Sequence, residues 1–124
     1  MAPRPVYLNL LRIHLPATGW VSILHRMSGV LLFLAFPLGV WGLSLSLTDE
    51  AGFRRMADCA KQPLARLCLL LLIWAFAHHF FAGLRHLALD AHWGVDRRRA
   101  RQSSIGVLLA GGVITLLAAW RLFA

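Results

Sequence analysis

The stretch HHFFAGLRHLALD, residues 78–90, sets a pair of histidines, a glycine, an arginine, a third histidine and an aspartate into an otherwise apolar run. Ionisable side chains are costly on a segment suited to hydrocarbon, which makes them functional candidates. At helical spacing His79, Gly83, His86 and Asp90 fall at offsets 0, 4, 7 and 11 and share one stripe. A neutral imidazole at such depth needs a partner, and a haem iron is one that takes its free lone pair. Gly83, one turn on, removes a side chain where a flat porphyrin would approach the backbone. Neighbouring residues on a helix point about 100° apart, so only one of His78 and His79 can serve a given haem. The glycine-bearing stripe favours His79. Two alternatives stay open at this level: His79 hydrogen-bonds a serine on another helix, or His78 is the ligand.

A second constellation is SILHRMSG, residues 22–29, where Ser22, His25, Arg26 and Gly29 lie at offsets 0, 3, 4 and 7. One helical face then presents a hydroxyl, an imidazole and a guanidinium. Ser22 and Arg26 offer two donors to a carbonyl oxygen, such as that of a quinone ring, and the flanking apolar surface suits an isoprenoid tail. Arg85, His86 and His25, nearer the membrane surface than His79, could meet the propionates of a haem whose iron lies deeper. Asp90 and His92 read as helix-end residues.

These residues need long apolar helices to position them. With 59% hydrophobic residues, five Asp and Glu in 124 residues and a mean hydropathy of +0.66, the chain reads as a membrane protein. Three spans are expected, at about 22–47, 64–89 and 104–123, each near or above the ~20 residues that cross a bilayer core. The whole chain, 1–124, reads as one membrane-anchor domain with an N-terminal segment at 1–21. Thr18 and Gly19 are expected to precede the first span, Pro37 to kink it, and Pro63 to open the second. The residues before the first span do not read as a signal peptide.

Thirteen Lys and Arg against five acids give a net charge of +8. The basic residues cluster between apolar runs, where they serve topology and anionic headgroups rather than nucleic acid. Arg4, Arg12, Arg26, Arg85, Arg97, Arg98, Arg99 and Arg101 fall on one side, against Arg54, Arg55, Lys61, Arg66 and Arg121 on the other. This bias places the N-terminus in the cytoplasm and the C-terminus outside. Cys59 and Cys68 cannot supply an iron–sulfur cluster or a structural zinc site, and Cys68 reads as a small core residue.

No histidine lies between Leu31 and Leu47 or between Ser104 and Phe123. A haem with two axial histidines, one of them His79, must therefore take the other from a second chain. The small surface that three helices bury points the same way.

RPVYLNLLRIHLP, SILHRMSG and HHFFAGLRHLALD together resemble the cytochrome b membrane-anchor subunit of succinate dehydrogenase, the succinate:quinone oxidoreductase of respiratory complex II. The resemblance covers nearly the whole chain. It implies an all-α, three-transmembrane-helix subunit that forms half of a heterodimeric bundle in the bacterial inner membrane, with one haem b shared with a second three-helix anchor subunit. In that resemblance His79 matches the axial ligand, Ser22 and Arg26 match the ubiquinone-binding pair, and His25 and Arg26 match positions near the propionates. It also implies an iron–sulfur subunit that delivers electrons and a flavoprotein subunit that oxidises succinate in the tricarboxylic acid cycle. The His78–His79 doublet and the very basic WGVDRRRARQ connector depart from the family pattern. Readings from other classes are a non-redox structural anchor and a small transporter subunit.

Overall fold

A computed structural model describes residues 15–124. Arg4, Arg12 and the rest of the RPVYLNLLRIHLP motif up to residue 14 lie outside the described residues. Four helices follow one another: α1 (Ala17–Ser46), α2 (Glu50–Lys61), α3 (Pro63–Asp90) and α4 (Arg97–Phe123). Three of them, α1, α3 and α4, are long and apolar enough to cross a membrane. At about 1.5 Å per residue each exceeds the ~30 Å of a hydrocarbon core, so their ends reach the headgroup region. The fold is all-α among the described residues, with α3 packed between α1 and α4.

The helix boundaries differ from those expected, for local reasons. α1 begins at Ala17, so Thr18 and Gly19 stand inside its first turn, and the helix runs unbroken through Pro37. The first connector folds as α2 because Asp49 caps it, accepting the Gly52 N–H at 2.5 Å. A Cβ at Gly52 would run into the Leu45 carbonyl, so glycine lets α2 turn tightly off the end of α1. α4 starts seven residues before the expected Ser104. Asp96 caps it by accepting the Arg99 N–H at 2.9 Å, and arginine is a good helix former, so the basic run is helical. Pro63 does occupy the first turn of α3.

Small residues hold the bundle together. Ala75 and Ala82 on α3 are fully buried, and Val21, Ala82 and Val107 form the core where α1, α3 and α4 meet. Gly111 of α4 lies against the backbone of His78, the close approach by which helices associate in lipid. At the far end, Arg66 donates to the Leu122 carbonyl at 2.8 Å and ties the start of α3 to the last turn of α4. Large apolar side chains such as Phe33, Phe36, Trp41 and Leu116 point outward. Cys68 is exposed on the lipid-facing side of α3 rather than in the core, and both cysteines are free thiols.

The α3–α4 turn is a Schellman motif: Trp93 N–H donates to the Ala88 carbonyl at 2.8 Å and His92 N–H to that of Leu89 at 2.9 Å. His92 takes the left-handed conformation there, φ 62°, a position that favours glycine. His92→Gly should therefore stabilise the hairpin by about 1 kcal/mol, read as a raised melting temperature of the detergent-solubilised assembly; an unchanged or lower value contradicts the strain.

Candidate functional site

Three imidazoles meet on the seam between α1 and α3. The rings of His25 and His79 stack with centroids 4.1 Å apart and planes 13° from parallel, and His86 meets His25 edge-on at 4.9 Å. α1 supplies His25, Ser28 and Gly29 from consecutive turns of one face, and α3 supplies His79, Gly83 and His86 from the expected stripe.

His79 is clamped at one nitrogen. Its Nδ1 lies 3.1 Å from the His25 carbonyl and 3.2 Å from Ser28 Oγ, while the Ser28 hydroxyl donates to the same carbonyl at 2.9 Å. A carbonyl only accepts, and Ser28 has spent its one proton on it, so Nδ1 must be the protonated nitrogen. Nε2 then carries the lone pair, and it takes no hydrogen bond from the described residues. The imidazole therefore does bond a serine on a neighbouring helix, and that bond leaves the other nitrogen available as a ligand.

Two glycines leave room around this ring. A Cβ at Gly29 would come within 3.0 Å of His79 Cε1, tighter than ordinary contact, so a side chain there would push the clamped imidazole aside by a few tenths of an ångström. A Cβ at Gly83 would meet only His25 Nε2, at 3.6 Å. A protonated Nδ1 held by a carbonyl, a free Nε2 on a half-buried ring and glycine clearance on both helices suit a haem axial ligand.

His78 has a different setting. It is fully buried between α3 and α4, against Gly111 and stacked on Trp74 at 5.7 Å, and its Nε2 has no hydrogen-bond partner among the described residues. Arg85, expected beside His25 and His86, also faces α4: its Nε donates to Ser103 Oγ at 3.0 Å and an Nη to the Ala100 carbonyl at 3.3 Å. The structure thus brings together His25, His79, Gly83 and His86 and leaves Arg85 on another face. Ser22 and Arg26 stand one turn apart, beside the His25 stripe, with Arg26 exposed. An open apolar groove of about 380 Å³ runs from Arg26 along Met27, Val30 and Leu31; Ser22 does not line it. Sequence reasoning missed Ser28, whose signal was its place one turn after His25 in SILHRMSG.

The transmembrane model of the succinate dehydrogenase/fumarate reductase family matches residues 2–119. The chain belongs to that family of transmembrane subunits. It is 31% identical over 118 residues to the succinate dehydrogenase cytochrome b556 subunit of Coxiella burnetii, covering 94% of each chain. The subunit of the same name from Paracoccus denitrificans is 32% identical over 111 residues, 90% of this chain and 85% of that one. The one from Rickettsia felis is 30% identical over 115 residues, 93% and 88%. This transmembrane-subunit family thus accounts for the spans, and the histidine seam lies on two of them.

The two histidines predict opposite behaviour on substitution. His78→Phe removes the unpartnered Nε2 together with the ring's polar contact with the Val21 backbone, two opposing effects that should leave stability within about 1 kcal/mol in thermal unfolding of the assembly. A collapse of folding would show that the His78 nitrogens are needed where they are.

Proposed function

We propose that this chain is the cytochrome b subunit that anchors a succinate:quinone oxidoreductase in the bacterial inner membrane, holds one haem b together with a second three-helix subunit, and forms part of the site that reduces ubiquinone. The single observation that carries the reading is the clamp on His79, which fixes its tautomer with Nε2 free. The names of the relatives, cytochrome b556 subunits, support it.

In this reading His79 would hold the haem iron from this chain, and the partner subunit would supply the second ligand. When bound, the haem supplies a one-electron carrier beside the quinone path. His25 holds and stacks on the ring of His79, and His86 and Arg26 with His25 would receive the propionates. Gly29 and Gly83 keep the approach clear. The N-terminus lies in the cytoplasm, the side where an iron–sulfur subunit, reduced by a flavoprotein that oxidises succinate, delivers electrons.

Quinone reduction takes two electrons and two protons to give the quinol. Arg26 would stabilise negative charge as it grows on a quinone oxygen, and Ser22, one turn away, would hydrogen-bond that oxygen or pass it a proton. The apolar groove along Met27, Val30 and Leu31 offers a path for the isoprenoid tail. Removing a charged hydrogen bond costs about 1.5–3 kcal/mol, so Arg26→Leu should slow quinone reduction roughly ten- to a hundredfold while the b-type absorption stays.

The reading is tested by a dithionite-reduced minus oxidised difference spectrum of the complex assembled with its partner subunits. A b-type band should be present, be lost or displaced in His79→Tyr, and persist in His78→Phe; a colourless complex makes the chain a structural anchor only. Ser28→Ala leaves the His25 carbonyl as the sole partner of Nδ1 and should weaken haem retention about tenfold. Gly29→Ala should disturb the band by crowding His79. Alanine at Gly83 is harmless within the chain, so a band lost in Gly83→Ala would report a porphyrin lying against that backbone.

A further inference from the structure

A second polar site lies on the opposite side of α3, in a cavity of about 340 Å³ under the α3–α4 turn. Arg85 forms its inner wall, 9% exposed, and Arg99 and Trp93 stand with it among the lining residues. Phe81, Leu89 and Val107 make most of the remaining surface apolar. The two Arg85 hydrogen bonds described above go to neutral oxygens, and among the described residues no carboxylate lies within salt-bridge distance of it. Arg99 is paired with Asp96 at 3.3 Å on an exposed edge. A permanent cation buried to this degree without a counter-charge is costly unless an anion completes it.

The surroundings decide which anion. The cavity sits where the spans leave the hydrocarbon, beside a run of arginines and a tryptophan of the kind found at membrane interfaces. Arg85 and Arg99 supply guanidinium donors that suit a phosphate, and Phe81 and Val107, one turn away from Arg85 and Ser103 on their helices, continue the cavity as an apolar wall that suits a fatty-acyl chain. We propose that this cavity is a binding site for one anionic phospholipid, with the phosphate held by Arg85 and Arg99 and an acyl chain lying over Phe81 and Val107. The site stands on the Arg85 geometry and does not depend on the reading of the histidine seam. Gly106 lines the cavity, and a Cβ there would meet nothing within 4 Å, so a larger side chain at this position is expected to obstruct the cavity without a clash at its Cβ.

The test uses the purified complex, stripped of lipid by detergent exchange and returned to micelles that contain phosphatidylglycerol or phosphatidylcholine, with bound lipid counted by native mass spectrometry. One phosphatidylglycerol should bind in preference to phosphatidylcholine. Arg85→Gln and Arg99→Gln should each weaken it, by about tenfold for the buried residue. Gly106→Leu, which keeps both charges, should block it as well, and this variant decides the matter if Arg85→Gln does not assemble. Equal binding of the two lipids, binding untouched by these substitutions, or full competition by inorganic phosphate at the same concentration would overturn the proposal. So would occlusion of the cavity by a soluble partner subunit, seen as phosphatidylglycerol binding only when that subunit is stripped away. The b-type spectrum serves as the independent control, since the Gly106→Leu variant should leave it unchanged.

Discussion

The backbone carbonyl of His25 organises the histidine seam of this molecule. It receives both the Ser28 hydroxyl and His79 Nδ1, and through them it joins the first third of α1 to the middle of α3. In such surroundings an unpaired imidazole N–H would be costly, so the bond fixes the ring, its tautomer and the spacing of the two helices together. Gly29 suits that constraint, since a side chain there would crowd the edge of the clamped ring. The stacking of His25 on His79 follows too, because the residue whose carbonyl accepts the bond carries its own ring alongside.

α3 then works as a helix with two seams. The doublets His78–His79 and Arg85–His86 are seven residues apart, so two full turns bring each doublet to the same orientation. Arg85 faces α4, His79 and His86 face α1, and His78 lies where its own backbone meets Gly111 of α4 and its ring approaches the Val21 backbone of α1. On the α4 side the helix is packed by small residues against Gly111, and its two polar groups are enclosed. On the α1 side the ring remains half-buried and can be reached from outside the chain. One helix thus carries an enclosed imidazole and a half-buried one at adjacent positions.

The remaining surface is what a subunit of a larger membrane assembly would present. Few residues are buried within the chain, and large apolar side chains line the outer faces of all three long helices. Lipid and partner helices must cover them, and in lipid the association depends on close packing and polar contacts rather than on expulsion of water. α2 and the arginine-rich start of α4 mark the two levels where the chain leaves that environment. Each opens with an aspartate cap that turns a polar connector into helix.

Composition and periodicity by themselves determined the membrane class, the three spans and the alignment of His79, Gly83 and His86, because hydropathy and the 3.6-residue repeat are local properties. They also located SILHRMSG and its polar face. They missed α2 and the early start of α4, since caps at Asp49 and Asp96 act against a polar composition that resembles a loop. Spacing alone left His78 and His79 open, and it set Arg85 beside His86 by proximity in the chain. Only the packing of α3 between two different neighbours decided which histidine is enclosed, which nitrogen of His79 is free and that Arg85 turns toward Ser103. Those outcomes depend on which helix lies across each seam, and that relation joins residues more than fifty positions apart for the His79 clamp and eighteen for Arg85.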